Sequence, residues 1–208
     1  MEQASTMTET TRPPGRPRSE ATRQAVLESA ARLLDNESYR HISIERIASE
    51  AKVGKQSIYR WWDSKADVLL EAFADRALRR LPLPNPTGDA PRDLVALLQA
   101  FFANVRVPSV TKTLTGLIAE AQIDPEFRAK FYATFISTRR KMMRDLIQSG
   151  IASGQFHGGL DVEVALDLIY GAFWYRLLSG TAAPLDDAFA VTLFETLRPV
   201  LTGAMAKS

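Results

Sequence analysis

Residues 43–65 read Ser-Ile-Glu-Arg-Ile-Ala-Ser-Glu-Ala-Lys-Val-Gly-Lys-Gln-Ser-Ile-Tyr-Arg-Trp-Trp-Asp-Ser-Lys. Ser43 is a good N-cap, and an apolar stripe at helical spacing follows it as far as Ala51. Residues 52–54, Lys-Val-Gly, form a tight turn, and a second short helix is predicted from about Lys55 to Trp61. Two short helices joined in this way, with an apolar helix before and after, indicate a helix-turn-helix.

The second helix of such a pair lies in the major groove of DNA and presents its N-terminal residues to base edges. Its side chains suit that role, because glutamine, serine and lysine can bond base edges and a tyrosine hydroxyl can donate to phosphate. Ser43 and Lys65 each stand at a helix start, where free backbone N–H groups favour a phosphate oxygen. The candidate DNA-binding residues of this region are Ser43, Lys55, Gln56, Ser57, Tyr59, Arg60, Trp61 and Lys65.

The pattern resembles the TetR family of bacterial transcriptional regulators over about residues 20–75. The family pattern is close to Ala-Gly-Val-Ser-Lys-Gly-Thr-Leu-Tyr, an aromatic or histidine pair, Ser-Lys and a Leu-Leu pair. The corresponding residues here are Ala-Lys-Val-Gly-Lys-Gln-Ser-Ile-Tyr at 51–59, Trp61-Trp62, Ser64-Lys65 and Leu69-Leu70. Lys52 replaces the usual turn glycine, so a left-handed backbone there would strain it. Gly54 replaces the usual hydroxyl cap, so the phosphate contact of that hydroxyl is not carried over.

The resemblance implies a homodimer with a three-helix DNA-binding unit and a larger helical C-terminal domain. It further implies that this domain binds a small molecule that lowers affinity for the operator, and that the last two helices form the dimer interface. Those helices carry too many apolar residues for one helix face, so a partner helix, internal or from a second subunit, is expected. The candidate dimer residues are Tyr170, Trp174, Phe189, Leu193 and Leu197.

Helical periodicity continues beyond the motif without strand alternation or an internal repeat, so the predicted fold is all-α with about nine helices. Breaks in this periodicity divide the chain. The predicted segments are a flexible basic arm (1–19), a helix-turn-helix domain (20–65), a connecting helix (66–81), a proline-rich linker (82–91) and a helical ligand-binding and dimerisation domain (92–208).

The basic excess of the chain is N-terminal. Residues 12–65 hold 11 Lys+Arg against 7 Asp+Glu, whereas residues 82–208 hold 12 of each. Within the arm, residues 15–17 read Gly-Arg-Pro, similar to the core of an AT-hook, and an arginine arm can enter a narrow minor groove. Arg16 and Arg18 are therefore candidate DNA contacts. The alternative is a disordered tail that only aids solubility.

Aromatic residues and methionines recur at helical spacing in the C-terminal half and suit an adaptable apolar cavity, although plain core packing is the alternative. The candidate pocket residues are Phe101, Phe102, Phe131, Phe135, Met142, Tyr170, Phe173 and Trp174. A polar group among them would orient a ligand. The candidates for it are Thr115, Gln122, Tyr132, Tyr170 and Arg176. The basic run at 139–141, Arg-Arg-Lys, is expected to form a solvated helix face.

Several classes of function are excluded by composition. Cysteine is absent and the 2 histidines are far apart, so we expect no metal ion, no cofactor and no catalytic residue. No apolar run of about eighteen residues and no secretory signal occur, so a cytoplasmic protein without a membrane partner is predicted. The leading hypothesis is a repressor released from a palindromic operator by a small apolar ligand. The alternatives are a ligand-independent regulator or an activator and, more remotely, a small helical enzyme.

Overall fold

The computed structural model describes residues 16–79, 85–180 and 184–204, with the backbone alone at residues 16–19. The regular structure in these ranges is helical throughout. Its elements are α1 (Arg16–Asn36), α2 (Ile44–Ala51), α3 (Lys55–Tyr59), α4 (Lys65–Arg79), α5 (Ala90–Val105), α6 (Pro108–Ile123), α7 (Pro125–Phe131), a π-helical segment (Tyr132–Ile136), α8 (Ser137–Ala152), α9 (Val162–Ser179) and α10 (Asp187–Thr202). Because α7, the π-helical segment and α8 run on without a break, the described ranges contain nine helices, which confirms the predicted all-α fold.

The N-terminal unit packs α1 against α2 and α4. Ser43 caps α2, as its hydroxyl accepts a hydrogen bond from the backbone N–H of Arg46 at 3.2 Å. Ile47 of α2 and Ile58 of α3 are fully buried and lock the two short helices onto α1. The polar side of α3 therefore faces away from the core.

The first helix begins earlier than the sequence indicates. It starts at Arg16, so Arg16 and Arg18 belong to its first turn and not to a flexible arm reaching to residue 19. Pro17 is compatible with this start, because the first N–H groups of a helix have no partner within the helix. Residues 1–15 of the predicted arm (1–19) lie outside the described residues.

The proline-rich linker is also shorter at its C-terminal end than predicted. α5 already begins at Ala90, with Asp89 as its N-cap and Pro91 in its first turn. A proline at this place favours a helix start instead of preventing it, which explains the misplaced boundary. Residues 80–84 of this region lie outside the described part of the chain.

The helix α4 joins the two halves of the molecule. It contacts α1 on one side and α6, α7 and the π-helical segment on the other. Val68, Leu69 and Phe73 are buried in a hydrophobic core that continues into the C-terminal half. There α5 and α8 form the centre, with α9 and α10 packed around them. Among the described helices, only the pair α5 and α6, bent by 89°, combines enough length and hydropathy for a membrane span, and no single helix does.

Candidate nucleic-acid interface and interior cavity

The turn between α2 and α3 is a Schellman motif centred on Lys52. Its backbone is left-handed, with φ 56° and ψ 43°. The N–H of Lys52 donates to the carbonyl of Ser49 at 3.2 Å, and the N–H of Val53 donates to that of Ala48 at 3.0 Å. Gly54 then precedes α3 without any side-chain cap. Lys52 thus has the left-handed backbone that strains a residue with a Cβ, and Gly54 leaves α3 without the usual hydroxyl cap.

The structure brings most of the predicted DNA-binding residues onto one exposed surface. Gln56 and Arg60 are exposed, and Tyr59 and Trp61 are 54% and 41% exposed, which is high for large aromatic residues. Lys55 also faces solvent, where its ammonium group lies 3.0 Å from the carboxylate of Glu45. A backbone hydrogen bond, and after it the hydrogen bond from Lys55, lowers the pKa of the Glu45 carboxyl. Ser57 is half-buried.

Lys65 differs from the other members of this set. Its ammonium group donates to the backbone carbonyl of Tyr39 at 3.2 Å and lies 4.8 Å from the centre of the Tyr39 ring. The Lys65 side chain thus points into the protein, and only its backbone stands at the start of α4. Ser64 and Asp67 cap that helix reciprocally, with the N–H of Ser64 donating to the Asp67 carboxylate at 3.0 Å and the N–H of Asp67 donating to the Ser64 hydroxyl at 3.2 Å.

Sequence reasoning missed Arg23 of α1. Its guanidinium group lies 5.6 Å from the ring of Trp61 and 5.8 Å from that of Trp62, and it forms an ion pair with Glu71 of α4. Trp62 is buried and donates its indole N–H to Glu71 at 2.7 Å. Nothing in the local pattern of α1 marks Arg23, because its partners are far away in the sequence. It supports the segment that follows α3.

An apolar cavity of about 40 Å³ lies in the C-terminal half, with Phe73 of α4 in its wall. Six of the eight predicted pocket residues line it, namely Phe101, Phe102, Phe135, Tyr170, Phe173 and Trp174. Two predictions are wrong. Phe131 is buried against Phe127 and Phe135 and lies outside the cavity wall, one helical turn before Phe135, which does line it. Met142 lines a separate surface groove of about 640 Å³.

A row of inward-facing residues along the π-helical segment and α8 explains the error at Met142. Phe135, Arg139 and Met143 follow one another at intervals of four residues, and all three line the cavity. Adjacent residues of a helix point about 100° apart, so Met142 faces elsewhere. The expectation of a solvated Arg-Arg-Lys face is therefore wrong for Arg139. The signal for it was present in the sequence, because Arg139 continues the four-residue spacing of the phenylalanines.

Two polar atoms in this apolar wall have no hydrogen-bond partner, the Nη2 atom of Arg139 and the hydroxyl of Tyr170. The other terminal nitrogen of Arg139 donates to the carbonyl of Phe135 at 3.0 Å, and its guanidinium carbon lies 3.5 Å from the centre of the Phe135 ring. Burial lowers the pKa of Arg139 to about 10, so the group stays charged at neutral pH. Burial also raises the pKa of Tyr170.

The other polar candidates for the pocket lie elsewhere. Thr115, Gln122 and Tyr132 are exposed, and Arg176 lies over the ring of Phe189 at 3.3 Å. Tyr170 is therefore the one member of that predicted set in the cavity wall. The described residues also contain no group of three or more histidine or acidic side chains arranged to hold a metal ion.

The predicted dimer residues pack mainly within their own chain, and their role at a dimer contact stays a prediction. Tyr170 and Leu193 are buried, and Trp174 contacts Phe173 edge-on with ring centres 4.7 Å apart. Phe189 stacks on Phe102 at 5.5 Å, and Leu197 packs on the core. The apolar side chains left exposed on the last two helices are Val164, Leu168, Tyr175, Leu178 and Val191. Because the apolar residues of α9 are spread around most of the helix, its sequence does not reveal which side faces outward.

The fold and these sites define a DNA-binding protein of the helix-turn-helix class. Residues 26–72 match the family described as bacterial regulatory proteins, tetR family, and residues 84–197 match the tetracyclin repressor-like C-terminal domain. The chain belongs to the TetR family of transcriptional regulators. It is therefore a transcriptional regulator that binds double-stranded DNA. Regulators of this family typically act as homodimers and bind a small molecule.

Individual relatives agree with this assignment. The HTH-type transcriptional regulator YdeS of Bacillus subtilis is 39% identical over 177 residues, which are 84% of this chain and 87% of YdeS. The crystal structure of the TetR family transcription regulator SCO0332 superposes with a TM-score of 0.73 at 32% identity, covering 85% of this chain and 96% of that one. The FadR regulator of Bacillus subtilis, solved with stearoyl-CoA, shares the fold at 18% identity and a TM-score of 0.61, over 86% of this chain and 98% of that one.

Proposed function

We propose that the protein is a repressor that leaves a palindromic operator when a small, largely apolar molecule enters the interior cavity. The observation that carries this proposal is the position of Phe73, which lines the cavity and belongs to α4. The same helix begins directly after the helix-turn-helix. A change in the cavity wall thus acts on the DNA-binding unit through one continuous helix.

The start of α4 is held by contacts from both halves of the molecule. Lys130 of α7 lies 3.2 Å from the carboxylates of Asp63 and Asp67. The hydroxyl of Tyr39, before α2, donates to Glu120 of α6 at 3.3 Å. These contacts tie the DNA-binding unit to α6 and α7, so a shift of the C-terminal helices alters its position.

The size of the cavity supports a conformational response. Its volume of about 40 Å³ has room for a few water molecules, whereas ligand pockets usually measure about 300–1,000 Å³. A ligand must therefore push the wall outward and bind the widened state more tightly than the closed one. The wall includes part of the π-helical segment, and such segments are frequent at functional sites.

The DNA side of the proposal uses the exposed surface of α3. In a homodimer two such helices are related by a two-fold axis, so the operator is palindromic, with half-sites at least about 34–36 Å apart. We assign base readout to Gln56 and a phosphate contact to Tyr59, because a glutamine amide can bond adenine on two atoms and a phenol can donate to phosphate. The dimer contact is assigned to the exposed apolar row of α9, with Leu168 near its centre.

The test begins with the selection of bound duplexes from a random DNA pool, followed by fluorescence anisotropy over a salt series. We expect a palindromic winner whose affinity falls steeply with salt. Gln56→Ala should relax the preference at one base pair, by about 1–3 kcal/mol, whereas Tyr59→Phe should weaken binding equally on all sequences. An unchanged base preference in Gln56→Ala contradicts the assignment. Decanoate, phenylacetate and their neutral amides are then screened for release of the DNA.

A ligand-independent regulator is the second candidate, because a cavity of about 40 Å³ is equally compatible with a packed core that no ligand enters. It predicts that no compound changes the affinity for the operator. An activator differs from a repressor only in where the operator lies relative to the promoter, which a transcription assay on the selected operator decides.

We further infer that the protein acts in the cytoplasm, with its DNA, and has no catalytic activity. Turnover of a bound probe would overturn the last point.

A further inference from the structure

We propose that the ligand of the cavity is an organic carboxylate, whose charged group binds Arg139 and Tyr170 while its apolar body occupies the aromatic part of the cavity. This inference rests on the proposed function and adds the chemical class of the ligand. It is carried by two polar groups that line the same apolar cavity and have no hydrogen-bond partner, the Nη2 atom of Arg139 and the hydroxyl of Tyr170.

A cation in an apolar wall is costly unless it is paired. Among the described residues Arg139 forms no ion pair, although its neighbours do. Arg140 binds Glu163 and Asp167, each at 2.8 Å, and Arg144 binds Glu163 at 2.6 Å. The acidic residues Glu163 and Asp167 are thus already paired with Arg140 and Arg144. The counter-charge for Arg139 has to come from the cavity.

The contacts with Phe135 provide partners for only part of the Arg139 guanidinium group. The ring face stabilises the guanidinium group, and the carbonyl of Phe135 accepts one N–H at 3.0 Å. Neither contact uses Nη2. The planar fork of an arginine matches the two oxygens of a carboxylate, and a phenol hydroxyl can donate to one of them. The two free donors therefore suit a single acceptor with negative charge.

The other residues of the cavity wall indicate the chemistry of the uncharged part of the ligand. Phe101, Phe102, Phe173 and Trp174 offer flat apolar surfaces, and Leu98 and Leu114 complete the lining. These surfaces suit an acyl chain or an aromatic ring. A carboxylate that draws Arg139 away from Phe135 would also disturb the stack of Phe135 on Phe73, which connects the headgroup to α4.

The test compares matched probes by isothermal titration calorimetry on the full chain. The carboxylates are butyrate, decanoate, palmitate, benzoate and phenylacetate, and each is paired with its neutral amide. For the wild type we expect at least one carboxylate to bind about tenfold more tightly than its amide. Arg139→Met should abolish that preference, Arg139→Lys should restore part of it, and Tyr170→Phe should weaken the carboxylate about fivefold.

Arg144→Met is the matched control, because this arginine lies on the same helix but outside the cavity wall, and it should retain the preference. Thermal unfolding provides a second readout. Without ligand, Arg139→Met should be at least as stable as the wild type, because it removes an unpaired buried charge. A clear loss of stability in Arg139→Met would show that the arginine is structural and would overturn the inference.

Three other results would also overturn it, and they are separable from failure of the proposed function. Equal binding of acids and amides, equal binding by wild type and Arg139→Met, or no binding of any carboxylate in the series each excludes a carboxylate site. If a neutral amide releases the operator, the proposal of a ligand-controlled repressor stands, but the proposal that its ligand carries a charged headgroup fails.

Discussion

The rings of Phe73 in α4 and Phe135 in the π-helical segment stack with centres 5.2 Å apart and planes inclined by 29°. One residue belongs to the helix that follows the helix-turn-helix, and the other lies beneath the guanidinium group of Arg139. The pair thus connects the cavity wall to the helix that follows the DNA-binding unit.

Phe73→Leu should uncouple the cavity from DNA. The smaller side chain loses the stack, so a bound probe should release the operator less effectively while its own affinity stays within about threefold of wild type. A loss of about 1–2 kcal/mol of unfolding free energy is expected for this change in size and shape. Anisotropy with and without decanoate measures the coupling. Phe127→Leu, a buried phenylalanine outside the cavity wall, is the control, and equal loss of coupling in both variants would contradict the route.

Glu45→Gln should strengthen binding to DNA. The carboxylate holds Lys55 at 3.0 Å and repels phosphate, so its removal frees a cation on the α3 surface. We expect about a two- to fivefold gain in affinity at low salt, which shrinks as salt is raised. Glu195→Gln, on α10, changes the net charge equally and should have a much smaller effect. A gain of the same size in both variants would mean that only total charge matters.

Lys52→Gly should stabilise the protein. The left-handed backbone at Lys52, with φ 56°, strains any residue that has a Cβ, and glycine removes that strain. The net gain should be about 0.5–1 kcal/mol, since glycine also adds freedom to the unfolded chain. Urea unfolding measures it. Lys52→Ala tests the reason, because alanine keeps the Cβ and should give no such gain.

Gly116→Ala should damage the contact between the DNA-binding unit and α6. A Cβ at this position would lie 2.6 Å from the ring of Tyr39, which must then move and give up its hydrogen bond to Glu120. We expect a loss of about 1–3 kcal/mol in unfolding free energy, as for other overpacked cores. Gly158→Ala is the control, because a Cβ there meets nothing within 4 Å. Two equally stable variants would show that Tyr39 is free to shift.

Leu168→Glu should convert the dimer into monomers and weaken operator binding. Leu168 is 45% exposed in the single chain and lies in the apolar row of α9 that we assign to the interface. A buried, unpaired carboxylate would oppose association strongly. Sedimentation velocity measures the result. Val107→Glu, an exposed apolar residue between α5 and α6, should remain dimeric, and a dimeric Leu168→Glu would place the interface elsewhere.

Much of the N-terminal unit follows from sequence because its determinants are local. The Ser64–Asp67 cap, the turn at Lys52 and the buried Ile58 depend on residues within one or two helical turns of each other. The all-α fold follows in the same way from the period of the apolar residues. Only the helix starts near Pro17 and Pro91 were misplaced, because proline both ends and begins helices.

The sequence by itself determined the class of the protein, its helices and most of the exposed α3 surface that we assign to DNA. The tertiary structure decided the inward turn of Lys65, the burial of Arg139 and the exposed row of α9. The physical reason is the range of the interactions. Caps and helical periods act between neighbours in the chain, whereas a cavity or an exposed face depends on which sides of distant helices converge. The apolar residues of α9 are spread around most of the helix, so their pattern does not encode which side faces outward.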